Sequence, residues 1–551
     1  MRLFKPSAAL LPLYLIHARG GSGLSARAVL SIRRALTART SALCLNADHD
    51  EPRSGLTPSN TLAETIFALS SGGGRAGVSV IRISGPQARE VLLQMAPGRQ
   101  GAAELPPPRQ AVLRRLRQPS EHGGGCGDRG GEGPPAELID QALVLWFPGP
   151  RSFTGEDVVE LHTHGSRAVV AATLGALNSI RGLRLAEPGE FTRQAFSNGR
   201  MSLTEVEGLG DLINSDTEEQ RKQALAQMEG VQRRVFEGWR ETLLGSLAHT
   251  EALIDFGEDA DDVTEAALSG AVSRVRSLRA EMAARLRDGE RGEAVRDGVR
   301  LAILGPPNAG KSSLLNALAA RDAAIVSPTA GTTRDVVSLT LELGGLPVVV
   351  SDTAGLRAET ADEIERQGMA RAAKEAARAH LQLWVYDALA PPQSAEQLEA
   401  ALASARAGAE QEPQQAEPQK LLLLNKVDLL PEGTASASAF FAADRQWGVS
   451  CLTGEGVQDF LTSLAEIVKR QYGADEREPA LVTRARHVQH LTACVKALDA
   501  FVELAQLGDG APLDIATEEL RTAVNELGKI TGRVDVEELL DVIFRDFCIG
   551  K

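Results

Sequence analysis

The sequence predicts a multidomain α/β protein in which a P-loop nucleotide-binding domain is inserted into a helical domain, behind an α+β N-terminal domain. Residues 298–470 alternate apolar strand-like runs with helix-like runs, which is typical of a parallel sheet. Helical periodicity dominates both before this region, at 182–297, and after it, at 475–551. The length of 551 residues is enough for roughly three or four domains.

A glycine-rich loop, Gly305–Ser312, has the pattern G-x-x-x-x-G-K-S between the apolar run Val299–Leu304 and a helix-like segment. Its glycines let the backbone wrap a phosphate, and the N–H groups at the start of the helix point at the anion. Lys311 can then reach the β- and γ-phosphates, while the Ser312 hydroxyl ligates Mg²⁺. The residues predicted to bind nucleotide in this segment are Asn308, Ala309, Gly310, Lys311, Ser312 and Ser313.

Three later features indicate that the nucleotide is GTP. Asp352–Gly355 follows a second apolar run, so its Asp can hold Mg²⁺ through water and its Gly amide can sense a γ-phosphate. Asn425–Asp428 follows a third run, and Asp428 can accept both N–H groups of the guanine edge, which adenine cannot offer. Ser450 stands where GTPases place a further guanine-contacting loop. Together these motifs predict a Ras-like P-loop GTPase domain. Its further predicted GTP-binding residues are Asp352, Thr353, Ala354, Gly355, Asn425, Lys426, Asp428 and Ser450.

The residue after the Asp-x-x-Gly motif is unusual for a Ras-like enzyme. Ras-type enzymes have a Gln there that orients the attacking water, whereas this chain has Leu356, which has no hydrogen-bonding group. Hydrolysis therefore needs another water-positioning residue, and the polar segment 357–366 offers carboxylates for that role. Asn308, with the loop 327–333, offers carbonyl oxygens that can hold a monovalent cation where an arginine finger would otherwise lie.

The rest of the chain divides by composition and periodicity. From residue 61 the signals are β-rich, with a Gly-rich low-complexity interruption at 121–131. Gly344-Gly345 between two apolar runs predicts a hairpin, and Asp535-x-x-Glu538 predicts a capping box that opens the last helix. The predicted domains are a disordered leader at 1–47, an N-terminal domain at 61–181, the GTPase domain at 298–470, and a helical domain made of two segments, 182–297 and 475–551.

The first 47 residues have the composition of an organelle transit peptide. They contain seven basic residues and no Asp or Glu, with Ser, Ala and Leu interleaved; the alternative is a disordered basic tail. Removing seven of the 59 basic residues against 73 acidic ones takes the net charge from −14 to −21. A protein this acidic does not coat nucleic acid nonspecifically, so any RNA contact needs a local basic patch or a partner.

Cysteines and histidines give no sign of a disulfide framework or a metal site. The five cysteines are scattered without a C-x-x-C pair, which fits a reducing compartment. His162-x-His164 and His487-x-x-His490 lack a third ligand nearby, so we expect them to be surface or core histidines. No uncharged apolar run is long enough to predict a membrane span.

The chain resembles the MnmE (also TrmE) family of tRNA-modification GTPases, in its organellar form. The resemblance covers nearly everything after the leader. Its specificity comes from the order of several motifs, since no single one is unique. The matching segments are Gly74–Gly85, Phe153–Leu161, Pro188–Thr192, Ala330–Asp335 and the terminal Cys548–Lys551. It implies a mitochondrial protein, with the chloroplast as the alternative.

The resemblance also implies roles for residues of the GTPase domain. K⁺ would be held by the Asn308 side chain together with backbone carbonyls of the following loop, those of Ser327, Thr329 and Thr332. Mg²⁺ would be held by Ser312 and Thr333. The family's catalytic Glu aligns with Glu365, with Glu363 as the second candidate because this loop is one residue longer. Cys548 would act in catalysis, against the alternative of an inert small apolar residue.

For the first domain, the resemblance implies binding of 5-formyl- or methylene-tetrahydrofolate. The residues at the matching positions are Arg82, Glu160, Arg200 and Lys551. Arg200 replaces a family Lys, so the charge is kept while the geometry of the donor group changes.

The implied assembly is a homodimer joined through the first domains. It would work with an MnmG-type flavoprotein, which carries the FAD. The implied reaction adds an aminomethyl-type group to carbon five of the wobble uridine of tRNA. The alternatives are a ribosome-assembly GTPase, disfavoured because no G-x-x-G clamp follows residue 475, and a regulatory GTPase with a vestigial folate domain.

Overall fold

The computed structural model describes most of the chain after the leader. The described residues are 64–98, 102–119, 137–256, 261–306, 308–321, 324–325, 338–352, 378–391, 418–431, 445–473, 480–507, 512–534, 537–545, 547 and 550. The predicted leader, the Gly-rich segment 121–131 and the capping-box Asp535 lie outside these residues. The described residues belong to one compact unit, Glu64–Lys551.

The N-terminal domain is built on a six-stranded sheet with the order β3-β4-β5-β2-β1-β6. Two helices cover one face, because Phe67, Ile81 and Ile83 point to that side and pack on Val91 and Leu92. The strands are β1 Thr65–Leu69, β2 Ala76–Ser84, β3 Val112–Arg117, β4 Leu138–Phe147, β5 Val158–Gly165 and β6 Leu183–Leu185, and the helices are α1 Ala88–Met95 and α2 Arg167–Asn178.

The sheet extends past residue 181, the predicted end of the first domain. β6 pairs in parallel with β1, so this boundary was predicted one strand too early. A strand of three residues is too short to show an alternating pattern, which explains the error. Helix α3, Glu190–Ser197, then covers the opposite face of β1, where its Phe191 packs on Ile66.

The helical domain is formed by two segments far apart in sequence. Phe236 and Met282 from the first segment share one buried core with Leu498, Phe501 and Leu520 from the second. This common core confirms the predicted insertion of the nucleotide-binding domain. The helices are α4 Leu203–Ile213, α5 Glu218–Met228, α6 Val231–Phe256, α7 Asp261–Arg287 and α8 Gly289–Asp297, followed after the insertion by α11 Ala485–Ala505, α12 Leu513–Thr531 and α13 Glu537–Arg545, with α9 and α10 in the inserted domain.

The inserted domain has a seven-stranded sheet with the order β13-β12-β11-β7-β10-β9-β8. Its central strands are parallel and buried on both faces, which explains their continuous apolar runs. The predicted hairpin is confirmed, since β9 and β10 are antiparallel and Gly344 and Gly345 both have positive φ, 64° and 83°. The elements are β7 Val299–Leu304, α9 Lys311–Ala319, β8 Ala324–Ile325, β9 Ser338–Leu343, β10 Leu346–Asp352, β11 Leu381–Asp387, β12 Gln419–Asn425, β13 Arg445–Val449 and α10 Val457–Tyr472.

Helix α5 attaches the inserted domain to the helical domain at a third place, besides the two points where the chain crosses. The Glu219 backbone N–H donates to the Gly345 carbonyl at the hairpin tip, at 3.2 Å. The Gln220 side chain donates to the Arg296 carbonyl at 2.8 Å, and Gln223 donates to Gly292 at 3.2 Å. The start of α5 therefore holds both the hairpin and helix α8, which leads into β7.

A buried carboxylate, Glu207 of α4, joins the two segments of the helical domain. It is 2% exposed and accepts from Arg486 at 2.9 Å, with His487 Nε2 at 3.0 Å from its other oxygen. Burial by itself would raise the pKa of Glu207, but His487 and the guanidinium groups of Arg486 and Arg484 outweigh burial and hold that pKa well below its ordinary value.

Replacing Glu207 should therefore destabilise the helical domain in a pH-dependent way. Glu207→Ala leaves two buried guanidinium groups without their carboxylate, and we expect a loss of about 3–5 kcal/mol at pH 7. Because the folded-state pKa lies below the ordinary 4.5, this stabilisation is complete above that pH and is lost as the pH falls through lower values. Urea unfolding followed by circular dichroism at pH 7 and pH 4 measures both effects.

The control is Glu218→Gln, which removes a carboxylate from the exposed ion pair with Arg221 on α5. Exposed pairs contribute little to stability, so its urea midpoint should stay close to that of the wild type at both pH values. Equal midpoints for Glu207→Ala and the wild type at pH 7 would show that the buried carboxylate does not hold the two segments together.

Candidate nucleotide and cofactor sites

The phosphate-binding loop connects the end of β7 to the start of α9, as predicted. Gly305 has φ 139°, and a Cβ there would collide with the Val385 carbonyl of β11. Gly310 has φ 92° and precedes the first helical residue, where a Cβ would collide with the Asn425 amide. Both positions therefore require glycine. Asn308 also has positive φ, 63°, which Asn tolerates better than most residues.

Lys311 lies folded over this loop. Its Nζ donates to the carbonyls of Gly305 and Pro306, at 2.9 and 2.8 Å, and the residue is only 8% exposed. Ser312 and Ser313 follow it in the first turn of α9 and are exposed. A buried ammonium group and the N-terminus of a helix thus lie side by side, and both favour an anion at this position.

The predicted base-binding corner is organised by Asn425, the last residue of β12. Its side chain is 2% exposed, donates to the Ala309 carbonyl at 3.0 Å, and accepts from the Cys451 N–H at 3.1 Å. One amide therefore ties the phosphate loop to the loop that begins at Ser450. Asp428, in the short 3₁₀ turn Val427–Leu429, is exposed at the same edge of the sheet.

Two predicted base-site residues have structural contacts of their own. Lys426 has φ 68°, and its Nζ lies 2.7 Å from Asp387 Oδ2, a carboxylate at the end of β11 that no sequence motif marks. The Ser450 side chain is buried and accepts from the Thr453 N–H at 3.1 Å, so it closes its own turn. A long-range ion pair such as Lys426–Asp387 carries no signal in the sequence.

Several predicted GTP-site residues lie outside the described residues. They are Ser327, Thr329, Thr332, Thr333, Thr353, Ala354, Gly355, Leu356, Glu363, Glu365 and Cys548. Asp352 is described only by its backbone, as the last residue of β10. Its Cα pairs with that of Ile303 in the neighbouring parallel strand, so it lies at the edge of the sheet from which the phosphate loop emerges.

In the N-terminal domain, the predicted cofactor residues Arg82 and Glu160 are direct cross-strand partners. Arg82 donates from Nε and Nη2 to one oxygen of Glu160, at 3.1 and 3.0 Å, and each side chain is 17% exposed. The Arg82 guanidinium also lies 5.3 Å from the ring centre of Phe153 and 5.8 Å from that of Phe191. Hydrogen bonds and stacking together fix the plane of this guanidinium group.

The C-terminal segment returns to the N-terminal domain. Gly550 is buried, and its carbonyl accepts from the Ser70 hydroxyl at 2.8 Å, just after β1. Within β1, Ala68 is the cross-strand partner of Arg82. The end of the chain therefore lies beside the strand that neighbours Arg82, although Lys551 itself lies outside the described residues.

The remaining predicted cofactor residue is Arg200, which is exposed. It follows Asn198, whose side chain donates to the Thr154 carbonyl at 2.8 Å and so ties the turn before α4 to the loop that carries Phe153. The three described candidates, Arg82, Glu160 and Arg200, thus belong to one region of the N-terminal domain.

The histidines do not form a metal centre. Across the portion of the chain that the structure describes, no group of three His, Cys, Asp or Glu side chains could hold a metal ion. His487 is buried against Glu207, and His164 is mostly exposed beside Asp140. Within the same described portion, no helix has both the length and the apolar composition needed to cross a membrane.

Comparison with known proteins identifies the family. Residues 203–548 match the model of the MnmE helical domain, and residues 65–200 match that of the GTP-binding protein TrmE N-terminus. The chain is 48% identical over 491 residues to the tRNA modification GTPase MnmE of Parvibaculum lavamentivorans, covering 89% of this chain and 100% of the relative.

A mitochondrial relative is similar to nearly the same degree. The chain is 46% identical over 502 residues to the human protein 5-taurinomethyluridine-[tRNA] synthase subunit GTPB3, mitochondrial, covering 91% of this chain and 96% of the relative. It is 45% identical over 490 residues to MnmE of Paramagnetospirillum magneticum, covering 89% and 100%. On these matches, the chain belongs to the MnmE (TrmE) family.

Proposed function

We propose that this protein hydrolyses GTP and uses the hydrolysis to drive or gate a step in tRNA modification at carbon five of the wobble uridine. The observation that carries the proposal is the position of Asn425. This one buried amide holds the phosphate loop and the base-site loop together at one edge of the sheet. The names of the relatives, tRNA modification GTPase and 5-taurinomethyluridine-[tRNA] synthase subunit, support tRNA as the substrate.

The phosphates of GTP would bind against the first turn of α9. Lys311 would exchange its two loop carbonyls for phosphate oxygens, which is favourable because an ammonium group pairs more strongly with an anion than with a neutral acceptor. Mg²⁺ would be held by the hydroxyls of Ser312 and Thr333, with Asp352 acting through water, an oxygen donor set that suits this ion. When bound, Mg²⁺ neutralises charge on the phosphate oxygens.

Guanine would be read by Asp428, whose exposed carboxylate can accept from both N–H groups of the base edge. The Lys426–Asp387 pair holds the preceding residue in its left-handed conformation and so positions Asp428. Burial, with a contribution from Asp428, raises the pKa of the neighbouring Cys451 thiol to about 11. Cys451 therefore stays neutral, and no thiolate competes for the guanine edge.

The hydrolytic step would depend on Glu365 and on K⁺. Leu356 cannot orient water, and Glu365 would do so from the loop that follows it. K⁺ would be held by the Asn308 side chain with the backbone carbonyls of Ser327, Thr329 and Thr332. A neutral carbonyl suits a large monovalent ion, and the exposed Asn308 side chain is available beside the phosphate loop.

The N-terminal domain would bind a tetrahydrofolate that supplies the one-carbon unit, through Arg82, Glu160, Arg200 and Lys551. The contact between Gly550 and Ser70 supports this assignment, because it brings the C-terminus to the strand beside Arg82. Cys548 would then act near this site. The protein would work as a homodimer with an MnmG-type flavoprotein that carries the FAD, and in the mitochondrion.

Mass analysis of organellar tRNA nucleosides tests the proposed function. Cells lacking this protein should lose the substituent on carbon five of the wobble uridine while their ribosome profiles stay normal. Re-expressed wild-type protein should restore it, and Lys311→Ala should not, because the phosphates lose their buried cation. An unchanged nucleoside spectrum with missing ribosomal subunits would instead identify a ribosome-assembly GTPase.

The proposed K⁺ site makes a prediction about salt. GTP turnover should be much faster in K⁺ than in Na⁺ at equal ionic strength, because the smaller ion fits a carbonyl cage of this kind poorly. Asn308→Ala should remove the difference, whereas Ser313→Ala, one turn position beyond the proposed ligand Ser312, should keep it. Steady-state phosphate release measures both, and equal wild-type rates in the two salts would exclude the K⁺ site.

Glu365→Ala should slow hydrolysis without weakening GTP binding. A carboxylate that acts through a bridging water contributes mainly in the transition state, so kcat should fall by about 10²–10³ while KM barely changes. Single-turnover hydrolysis and nucleotide titration measure the two quantities. Glu363→Ala is the matched control from the same loop. If that control is the inactive variant and Glu365→Ala is near normal, the positioning carboxylate is Glu363.

A further inference from the structure

Phe153 is the one exposed aromatic side chain among the residues that the structure describes, at 36% exposure. Other phenylalanines of the N-terminal domain, such as Phe67 and Phe191, are fully buried. Its own neighbours in sequence are also buried, with Ser152 at 7% and Thr154 at 0% exposure. The backbone therefore directs one large apolar side chain outward from an otherwise buried segment.

The loop that presents Phe153 is held in place by hydrogen bonds on both sides. The Ser152 hydroxyl accepts from the Gly155 N–H at 3.0 Å and donates to the Glu156 carbonyl at 2.5 Å. The Thr154 hydroxyl lies 2.8 Å from that of Ser84 at the end of β2. With so many contacts the loop is fixed, so the exposure of Phe153 is built into the structure and does not come from a loose loop.

The exposed ring lies beside a row of planar polar groups. Its centre is 5.3 Å from the Arg82 guanidinium, which donates to one oxygen of Glu160, and His162 Nε2 lies 3.4 Å from the other oxygen. An aromatic face next to a carboxylate and a guanidinium is the combination that recognises a flat heterocycle, by stacking on its face and hydrogen bonding at its edge.

The surroundings argue against a protein-docking surface. The neighbouring Arg151 is exposed and polar, and Glu156 is half-buried, so Phe153 does not belong to a continuous apolar patch. The proposed cofactor residue Arg200 and the C-terminal Gly550 lie on elements that contact this loop or its neighbouring strand. A small ligand, enclosed by these elements, fits the arrangement better than a protein partner does.

We propose that Phe153 is the stacking residue of this site and holds the planar ring of a pterin-type one-carbon carrier against Arg82 and Glu160. The inference rests on the proposed folate function of the N-terminal domain and adds a specificity-determining residue to it. Arg82 would keep its stack on Phe191 when the ligand occupies the exposed face of Phe153.

The test is calorimetric titration of the full-length protein with 5-formyltetrahydrofolate. Phe153→Leu keeps an apolar side chain but removes the aromatic face, and it should weaken binding about tenfold or more, as expected for the loss of one stacking contact. Phe153→Trp keeps the aromatic face and should retain wild-type affinity. Its added indole should also be quenched when the pterin binds, which reports stacking directly.

The matched control is Leu113→Ala, which alters an exposed apolar residue on the edge strand β3 of the same sheet, at 64% exposure. It should leave the affinity unchanged, and all three variants should hydrolyse GTP at the wild-type rate when no folate is present. Wild-type binding together with an unchanged affinity of Phe153→Leu would overturn the stacking role alone. Failure of the wild-type protein to bind the probe would overturn the folate function and the stacking role together.

Discussion

The structure depends most on the buried charge cluster of helix α4, where the inserted domain leaves and re-enters the helical domain. Asp211 accepts from Arg296, two residues before the chain enters β7, and from Arg484, just after the chain returns. Glu207, one turn earlier on α4, binds Arg486. Both crossings of the chain are thus fixed to one helix. Arginines at both crossings need these carboxylates, since unpaired buried guanidinium groups would be costly.

Helix α4 also touches the elements that carry the cofactor site. It begins at the cap residue Ser202, two residues after Arg200, and its Gly210 packs against the Phe547 ring of the C-terminal segment. On its other side α5 holds the Gly345 hairpin, whose second strand ends at Asp352 beside the phosphate loop. The two sites are therefore connected through a continuous series of packed elements, which is the physical requirement for energetic coupling between them.

Local features were predictable from the sequence, and long-range ones were not. The phosphate loop and the Gly344-Gly345 hairpin carry their own turn chemistry, so their structure followed from their residues. The short strand β6 and the burial of Glu207 depend on partners far away in the chain, and no pattern of their own reveals them. The pairing of Arg82 with Glu160 lies between these cases, because the family resemblance named both residues while only the strand register brings them together.

The base-site motif shows how one short sequence divides structural and chemical work. Its Asn425 is buried and spends its amide on the Ala309 carbonyl and the Cys451 N–H, so it shapes the site without facing solvent. Its Asp428 is exposed and carries the chemistry. Since Gly310 must pack directly on Asn425, a larger residue at either position would displace the phosphate loop and the base loop together. Phosphate binding and base recognition therefore depend on a single contact, which explains why the two motifs, more than a hundred residues apart, must change together.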